Sequence, residues 1–471
     1  MGAVVEAAVN EPRVAIAGAG AVTALGLGVE PLRQALRTNA GGLRPRDRVI
    51  GKIRQAIIAG WVPEETVEQL CNNDPDHANS RAFLFAQAAL RQAVEDAANP
   101  NSSQNPVGAD VRRLTTQEDQ RLLTSSPAIE NKSSRLNCVP PARKGLVLST
   151  TKADIEALET LLKSRSSRGN EAPSSKSEPP HVGCYGLEQV AEKPVHHLSC
   201  SPAAQRQIQP AFLAADLAAA NQIAGPVQCV SAACISGLLA IQQGVALIRR
   251  GLADLVFVAG VDLVSEFVLA GFTALKSLDP EGCRPFDKTR VGLSLGEGAG
   301  AVVLARRDLL AGQAVLVTGW GTSNDANHLT GPSRDGAGLA LAISRALARA
   351  GAAPGSIDYV NAHGTGTPYN DAMESLALRT VFGERVPPFS SSKGLLGHTL
   401  GAAGILETIL CLAALETRML PGTPRLRERD PVAPESLVHE PRPADRLRRI
   451  LKINCGFAGT NAALVLERES S

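Results

Sequence analysis

The sequence predicts a large α/β fold made by duplication, with helices covering mixed sheets. Strand and helix patterns alternate along the chain, and pieces of the first half recur in the second. Composition agrees. Apolar residues make up 44% of the 471 but aromatics only 3%, so the core must rest on closely packed Ala, Val, Leu, Ile and Gly, as buried strands beneath helices require.

Residues 13–22 (RVAIAGAGAV) read as a buried strand ending in a Gly-rich turn. Thr23 stands where a dinucleotide fingerprint needs its third glycine, so a tight strand-to-helix turn is the better reading. Residues 82–97 show helical spacing, with Phe83, Phe85, Ala89, Leu90 and Val94 on one face, and lead to a strand at 145–149. A helix at 340–350 and a strand at 357–361 repeat that order. The segment VQCVSAACISGLLAIQQGVALIRRG likewise has a counterpart in PPFSSSKGLLGHTLGAAGILETILCLAAL. The halves divide at 11–305 and 306–468, and the first carries two polar stretches, 99–142 and 164–205, read as surface insertions.

Bulk properties exclude several classes. Lysine and arginine (48) nearly balance aspartate and glutamate (46), so no strong field draws nucleic acid. Nine cysteines without a CxxC pair read as reduced thiols. Eight histidines show no metal-ligand spacing. The start lacks a basic region before an apolar run, and no uninterrupted apolar stretch reads as long enough to span a bilayer. The expected compartment is the cytoplasm.

Cys234 falls where a strand (228–233) turns into a helix that closes at Gly251. The positive end of a helix dipole and free backbone N–H groups there favour thiolate, and Ala232, Ala233 and Gly237 are small enough to leave an open approach. Cys229, Cys283 and Cys411 read as structural thiols. NAHGTGT (361–367) ends a strand, where open α/β sheets place reactive groups. KGLLGHTLGAAG (393–404) sets Lys393 and His398 before a Gly/Ala-rich helix start, and NCGFAGTN (454–461) ends a strand in a glycine loop holding Phe457.

SAACISG, GCRPFDKTRVGLSLGEGAGAVVL, HGTGTPYND, SSKGLLGHTLGAAGILE and NCGFAGTN, in this order, resemble the elongating β-ketoacyl-acyl-carrier-protein synthases of fatty acid and type II polyketide synthesis. The resemblance implies a thiolase-like fold, a duplicated five-layered α/β/α/β/α arrangement with mixed sheets. It implies Cys234 as acylated nucleophile, His363 and His398 as paired histidines, and Lys393 as a buried lysine paired with Glu407. Thr365 and Thr367 match pantetheine contacts. Phe457 matches a gate, and its N–H with that of Cys234 would form an oxyanion hole. Asp371 and Glu374 read as structural.

No cofactor or metal is implied beyond substrates carried on the phosphopantetheine of acyl carrier protein. The implied partners are that carrier and a second subunit, either another copy or a ketosynthase-like paralogue. Cys455 departs from the family pattern, and the piece LVLSTTKADIEAL looks more like synthases of aryl-polyene clusters. Two rivals stand beside this reading: a thiolase using Cys455 as acid/base, and a catalytically silent partner of the chain-length-factor type.

Overall fold

The computed structural model describes residues 11–50, 53–98, 143–152 and 209–470. The stretches read as insertions therefore lie outside the described residues, apart from the flanking positions. In chain order the strands are β1 (Val14–Thr23), β2 (Gly26–Leu27), β3 (Leu43–Ile50), β4 (Ile53–Gly60), β5 (Lys144–Ser149), β6 (Val227–Val230), β7 (Leu255–Asp262) and β8 (Gly298–Arg306). There follow β9 (Val315–Asn324), β10 (Tyr359–Asn361), β11 (Phe389–Ser390), β12 (Met419–Leu420), β13 (Arg442–Pro443), β14 (Arg449–Gly456) and β15 (Thr460–Arg468). The main helices are α1 (Arg81–Ala98), α2 (Pro210–Ala220), α3 (Ser236–Arg249), α4 (Ala337–Ala350), α5 (Pro368–Phe382) and α6 (Ala403–Thr417).

Among the described residues the principal sheet runs β11-β10-β14-β15-β9-β1-β8-β7-β5-β6. It is two sheets hinged at the centre, for β1 and β9 pair only at Ala15↔Leu316 and Ile16↔Val315. Each side has the same order counted along its own chain: third strand at the edge, then second, fourth, fifth, and first at the join. The duplication read in the sequence is thus a duplication of topology.

Three apolar clusters separate the layers. Phe83, Phe85, Leu90, Leu213 and Leu217 of α1 and α2 cover the outer face of the first sheet. Leu339, Ile343 and Leu347 of α4 with Met373 and Leu378 of α5 cover the outer face of the second. Between the sheets lie α3 and α6, with Leu238, Ile241, Ile405 and Ile409 in one cluster. The result is the five-layered α/β/α/β/α arrangement expected.

Two readings need correction. Gly18 and Gly20 form no turn: β1 continues through Thr23. A Cβ on Gly18 would lie 2.2 Å from the Ala93 carbonyl oxygen, and one on Gly20 2.1 Å from that of Ala89. The glycines are there so that α1 can lie directly on the strand. Gly319 and Gly321 of β9 do the same beneath α4, each 2.1 Å from a helix carbonyl by the same construction. The second correction concerns apolar length: Leu400–Thr417 is long and apolar enough to cross a membrane, yet 89% of it is buried inside the molecule as the central layer.

Candidate active site

The turns after β6, β10, β11 and β14 converge between the sheets, and each supplies one part of the site. Cys234 sits at the turn from β6 into α3, 7% exposed. His363 follows β10, His398 follows the short helix Lys393–Leu396, and Phe457 follows β14. Ala233, Leu400 and Ala458 have φ of 49°, 49° and 62°. Three of these turns thus hold a non-glycine residue in the left-handed region, a strain that the surrounding packing must sustain.

Cys234 Sγ lies 2.9 Å from His398 Nε2, and the Phe457 backbone N–H also points to the sulfur. The two imidazoles stand edge to face, centroids 5.2 Å apart. Lys393 Nζ donates to Glu407 Oε1 at 2.6 Å, to the His363 carbonyl at 2.7 Å and to His363 Nδ1 at 3.2 Å. Lys393, Glu407, His363 and His398 are all buried. Thr365 and Thr367 join hydroxyl to hydroxyl at 2.8 Å on the loop that carries His363. Asp371 accepts from the N–H groups of Thr365 and Gly366, and Glu374 from those of His363 and Gly364, so both carboxylates brace that loop.

These contacts determine the imidazole tautomers. Lys393 ammonium and the Asn454 side-chain amide, at 2.9 Å, can only donate to His363 Nδ1. The Leu400 N–H does the same to His398 Nδ1 at 3.2 Å. Each neutral ring therefore carries its proton on Nε2. Burial, reinforced by Lys393, pushes both rings' pKa down, His398 to about 3 and His363 well below its usual range. Cys234 Sγ and a ring nitrogen of each histidine lie within 4.8 Å of one another. That spacing suits a metal only where nitrogens offer lone pairs, and here the inward nitrogens offer N–H.

Burial works against the thiolate expected from the helix start. Burial pushes the Cys234 thiol up to about 11, against Lys393, Lys152 and the Phe457 N–H, which pull it down. Nor does Gly237 open an approach: a Cβ there would lie 2.8 Å from the Ile405 nitrogen and 2.9 Å from Gly404 Cα, so it serves α3–α6 contact. Cys455 faces away from the site. Along β14, Ile450 faces the central layer while Leu451, Ile453 and Cys455 join the outer cluster; this alternation turns Lys452 and Asn454 inward.

Those two residues went unremarked in the sequence. Lys452 Nζ lies 2.9 Å from Glu407 Oε2, and Asn454 Nδ2 lies at the same distance from that oxygen. The strand period around NCGFAGTN was the available signal.

Comparison with known proteins places the chain in a family. The family model "Beta-ketoacyl synthase, N-terminal domain" matches residues 181–309, and "Beta-ketoacyl synthase, C-terminal domain" matches 314–427. The chain is 34% identical over 309 residues to 3-oxoacyl-[acyl-carrier-protein] synthase 2 of Vibrio cholerae, covering 61% of this chain and 74% of that protein. The chain belongs to the beta-ketoacyl synthase family. A polyketide beta-ketoacyl synthase 1 of Streptomyces halstedii is 31% identical over 405 residues, covering 83% of this chain and 90% of that protein. Among solved structures, a chain of the ishigamide ketosynthase/chain length factor superposes with a TM-score of 0.77 at 28% identity, covering 98% of this chain and 100% of that one. As a beta-ketoacyl synthase the protein is an acyltransferase of the carbon–carbon bond-forming class, with a thiolase-like fold, serving fatty acid or polyketide synthesis. Such enzymes need no cofactor besides the phosphopantetheine that carries the substrates.

Proposed function

We propose that Cys234, His363, His398 and Lys393 carry a decarboxylative Claisen condensation between an acyl chain held on Cys234 and malonyl-acyl carrier protein. The observation that carries this reading is a buried sulfur faced by one Nε2–H, with a second imidazole of the same tautomer beside it.

In the first step Cys234 Sγ bonds to the acyl carbonyl carbon as the carrier's C–S bond breaks, and the thiol proton ends on the carrier thiol. The N–H groups of Cys234 and Phe457 hold the transient oxyanion, each worth about 3 kcal/mol by analogy with measured oxyanion holes. In the second, malonyl loses carbon dioxide and the bonding pair becomes an enolate. Two Nε2–H donors aimed at the thioester oxygen stabilise it. Its carbon bonds to the acyl carbonyl carbon as the Cys234 C–S bond breaks, and the departing thiolate takes up one proton from solvent. Glu407 anchors Lys393, and Thr365 and Thr367 take the pantetheine arm.

The partners in this reading are acyl carrier protein and a second subunit, as a homodimer or a heterodimer with a ketosynthase-like paralogue. The halves 11–305 and 306–468 act as one unit, with Cys234 from one and both histidines from the other. A silent chain-length-factor role is disfavoured by the assembled Cys234–His398 pair. A thiolase role is disfavoured by the outward direction of Cys455. Incubation with malonyl-carrier protein and a series of acyl-carrier proteins, followed by intact-mass analysis, tests the reading. Acyl mass on Cys234 and release of a β-ketoacyl carrier are expected; a chain that never takes up acyl mass would overturn it.

A further inference from the structure

Lys452 is fully buried on β14 and has no part in the steps above. Its Nζ faces three acceptors: Glu407 Oε2 at 2.9 Å, the carbonyl of Ile453, and that of Asn361 at 3.5 Å. Lys393 Nζ likewise faces three, and an ammonium has three N–H to give. Both lysines are therefore matched as cations to one carboxylate, which leaves a buried cluster of net charge +1 behind His363.

That stoichiometry has a consequence for the rings. With one lysine and Glu407 alone the cluster would be neutral, and a proton arriving on His363 or His398 would meet no opposing charge. Glu407, drawn to a single lysine, would also pull Lys393 from His363 Nδ1. We propose that Lys452 is a positioning residue of the condensing site, whose charge keeps Glu407 shared, Lys393 on His363 Nδ1, and both imidazoles neutral Nε2–H donors. The proposal rests on the condensation reading above.

Burial lowers the pKa of Lys452 itself, Glu407 opposes and Lys393 adds to the lowering, so its charge rests on the contact with Glu407. Burial lowers the His363 pKa, with Lys393, His398 and Lys452 acting in the same direction. For His398, burial, Lys393, Lys152 and Lys452 lower it while Glu407 opposes. Glu407 is held to about 2 because the two ammoniums outweigh its burial. The remaining titratable neighbours are tied elsewhere: Asp262 accepts from Thr150, Thr151 and Gly401, and Glu374 from the His363 and Gly364 N–H groups.

The test is a charge series read in two ways. Lys452→Met takes the cluster from +1 to 0, Lys452→Met with Glu407→Gln restores +1, and Glu407→Gln alone gives +2. Ring-nitrogen NMR of 15N-histidine protein at about pH 5, below the ordinary histidine range, reports ring charge whether or not the enzyme turns over. Single-turnover release of labelled carbon dioxide is measured beside acyl loading.

Lys452→Met should show imidazolium character on a site ring and slow carbon dioxide release by about tenfold or more, the scale on which partners of site imidazoles act. Loading should stay within about twofold, as Cys234 and its N–H donors are untouched. The double variant should return the rings to neutral and recover much of the release. A purely packing role predicts the reverse, the double variant being worse than the single. Should Lys452→Met not fold, Lys452→Gln, which keeps a polar head near Glu407 and likewise takes the cluster to 0, carries the same test. Neutral rings and unchanged release in Lys452→Met, or no recovery in the double, overturns the inference. A wild-type protein that releases no carbon dioxide overturns instead the condensation reading.

Discussion

Burial and the surrounding donors pull the Cys234 sulfur in opposite directions, and burial prevails, at about 11. Iodoacetamide labelling of Cys234 should therefore climb about tenfold per pH unit from neutrality towards that value, because only thiolate reacts. A plateau already reached near pH 7 would show a depressed thiol. Cys234→Ala should abolish acyl loading without unfolding the chain. The histidines divide the work differently: His363→Ala or His398→Ala should spare much of the loading yet slow carbon dioxide release by about a hundredfold or more, the scale of one lost oxyanion donor. Lys393→Ala should impair both steps, since it strips His363 Nδ1 of a donor and Glu407 of a partner. Normal decarboxylation with failed loading in both histidine variants would recast the rings as bases for Cys234. Cys234, His363 and His398 were legible because each stands in a short motif of small residues, where a reactive side chain has little else to pack against. Lys452 and Asn454 were not. A lysine in the run RILKIN looks like a solvated strand residue until the second layer of helices over β14 is known.

At the scale of elements, the contact of α3 with α6 decides where Cys234 sits relative to His398. Gly237 and Gly404 meet there backbone to backbone. Alanine in a helix interior gains about 1 kcal/mol over glycine by propensity, but overpacking of a close contact costs about 1–3 kcal/mol. Gly237→Ala should thus lower the melting temperature and, by moving Cys234 away from His398 Nε2, slow loading; a more stable, fully active variant would show that the helices can part. Helix α1 and strands β1 and β5 were readable to within a residue or two, because their apolar spacing is unbroken. The β3–β4 hairpin was missed. Arg44, Arg46, Asp47 and Arg48 hide its period, and the cation–π contacts of Arg46 and Arg48 with Trp61 that seat it exist only in three dimensions. The GxG of β1 misled for a related reason. Glycines that admit a helix and glycines that admit a turn look alike until the partner is known.

Across the whole molecule, buried titratable groups tie stability to pH. His363 and His398 have folded pKa values below the ordinary 6.5, so the unfolded chain binds protons first and stability present above about pH 6.5 is lost on acidification. Glu374 runs the other way: burial raises it to about 7, so its contribution is present below its ordinary value of about 4.3 and is lost as pH rises through 7. Urea midpoints between pH 7 and 5 should therefore fall less steeply in His398→Ala than in wild type, and more steeply in Glu374→Gln. Each slope should differ by about 1 kcal/mol per pH unit. Equal slopes would mean that these groups titrate alike in both states. The hinge between the sheets has a further consequence, felt while the chain is being made. Val14 of β1 has Arg306 of β8 as its partner, and Ile16 has Val315 of β9. Those partners leave the ribosome some 290 residues later, which at about 5–20 residues per second is roughly 15–60 s. For that interval the first strand, apolar on both faces, has β2 as its local partner at Val22 and Thr23, and its remaining edges wait open to mispairing.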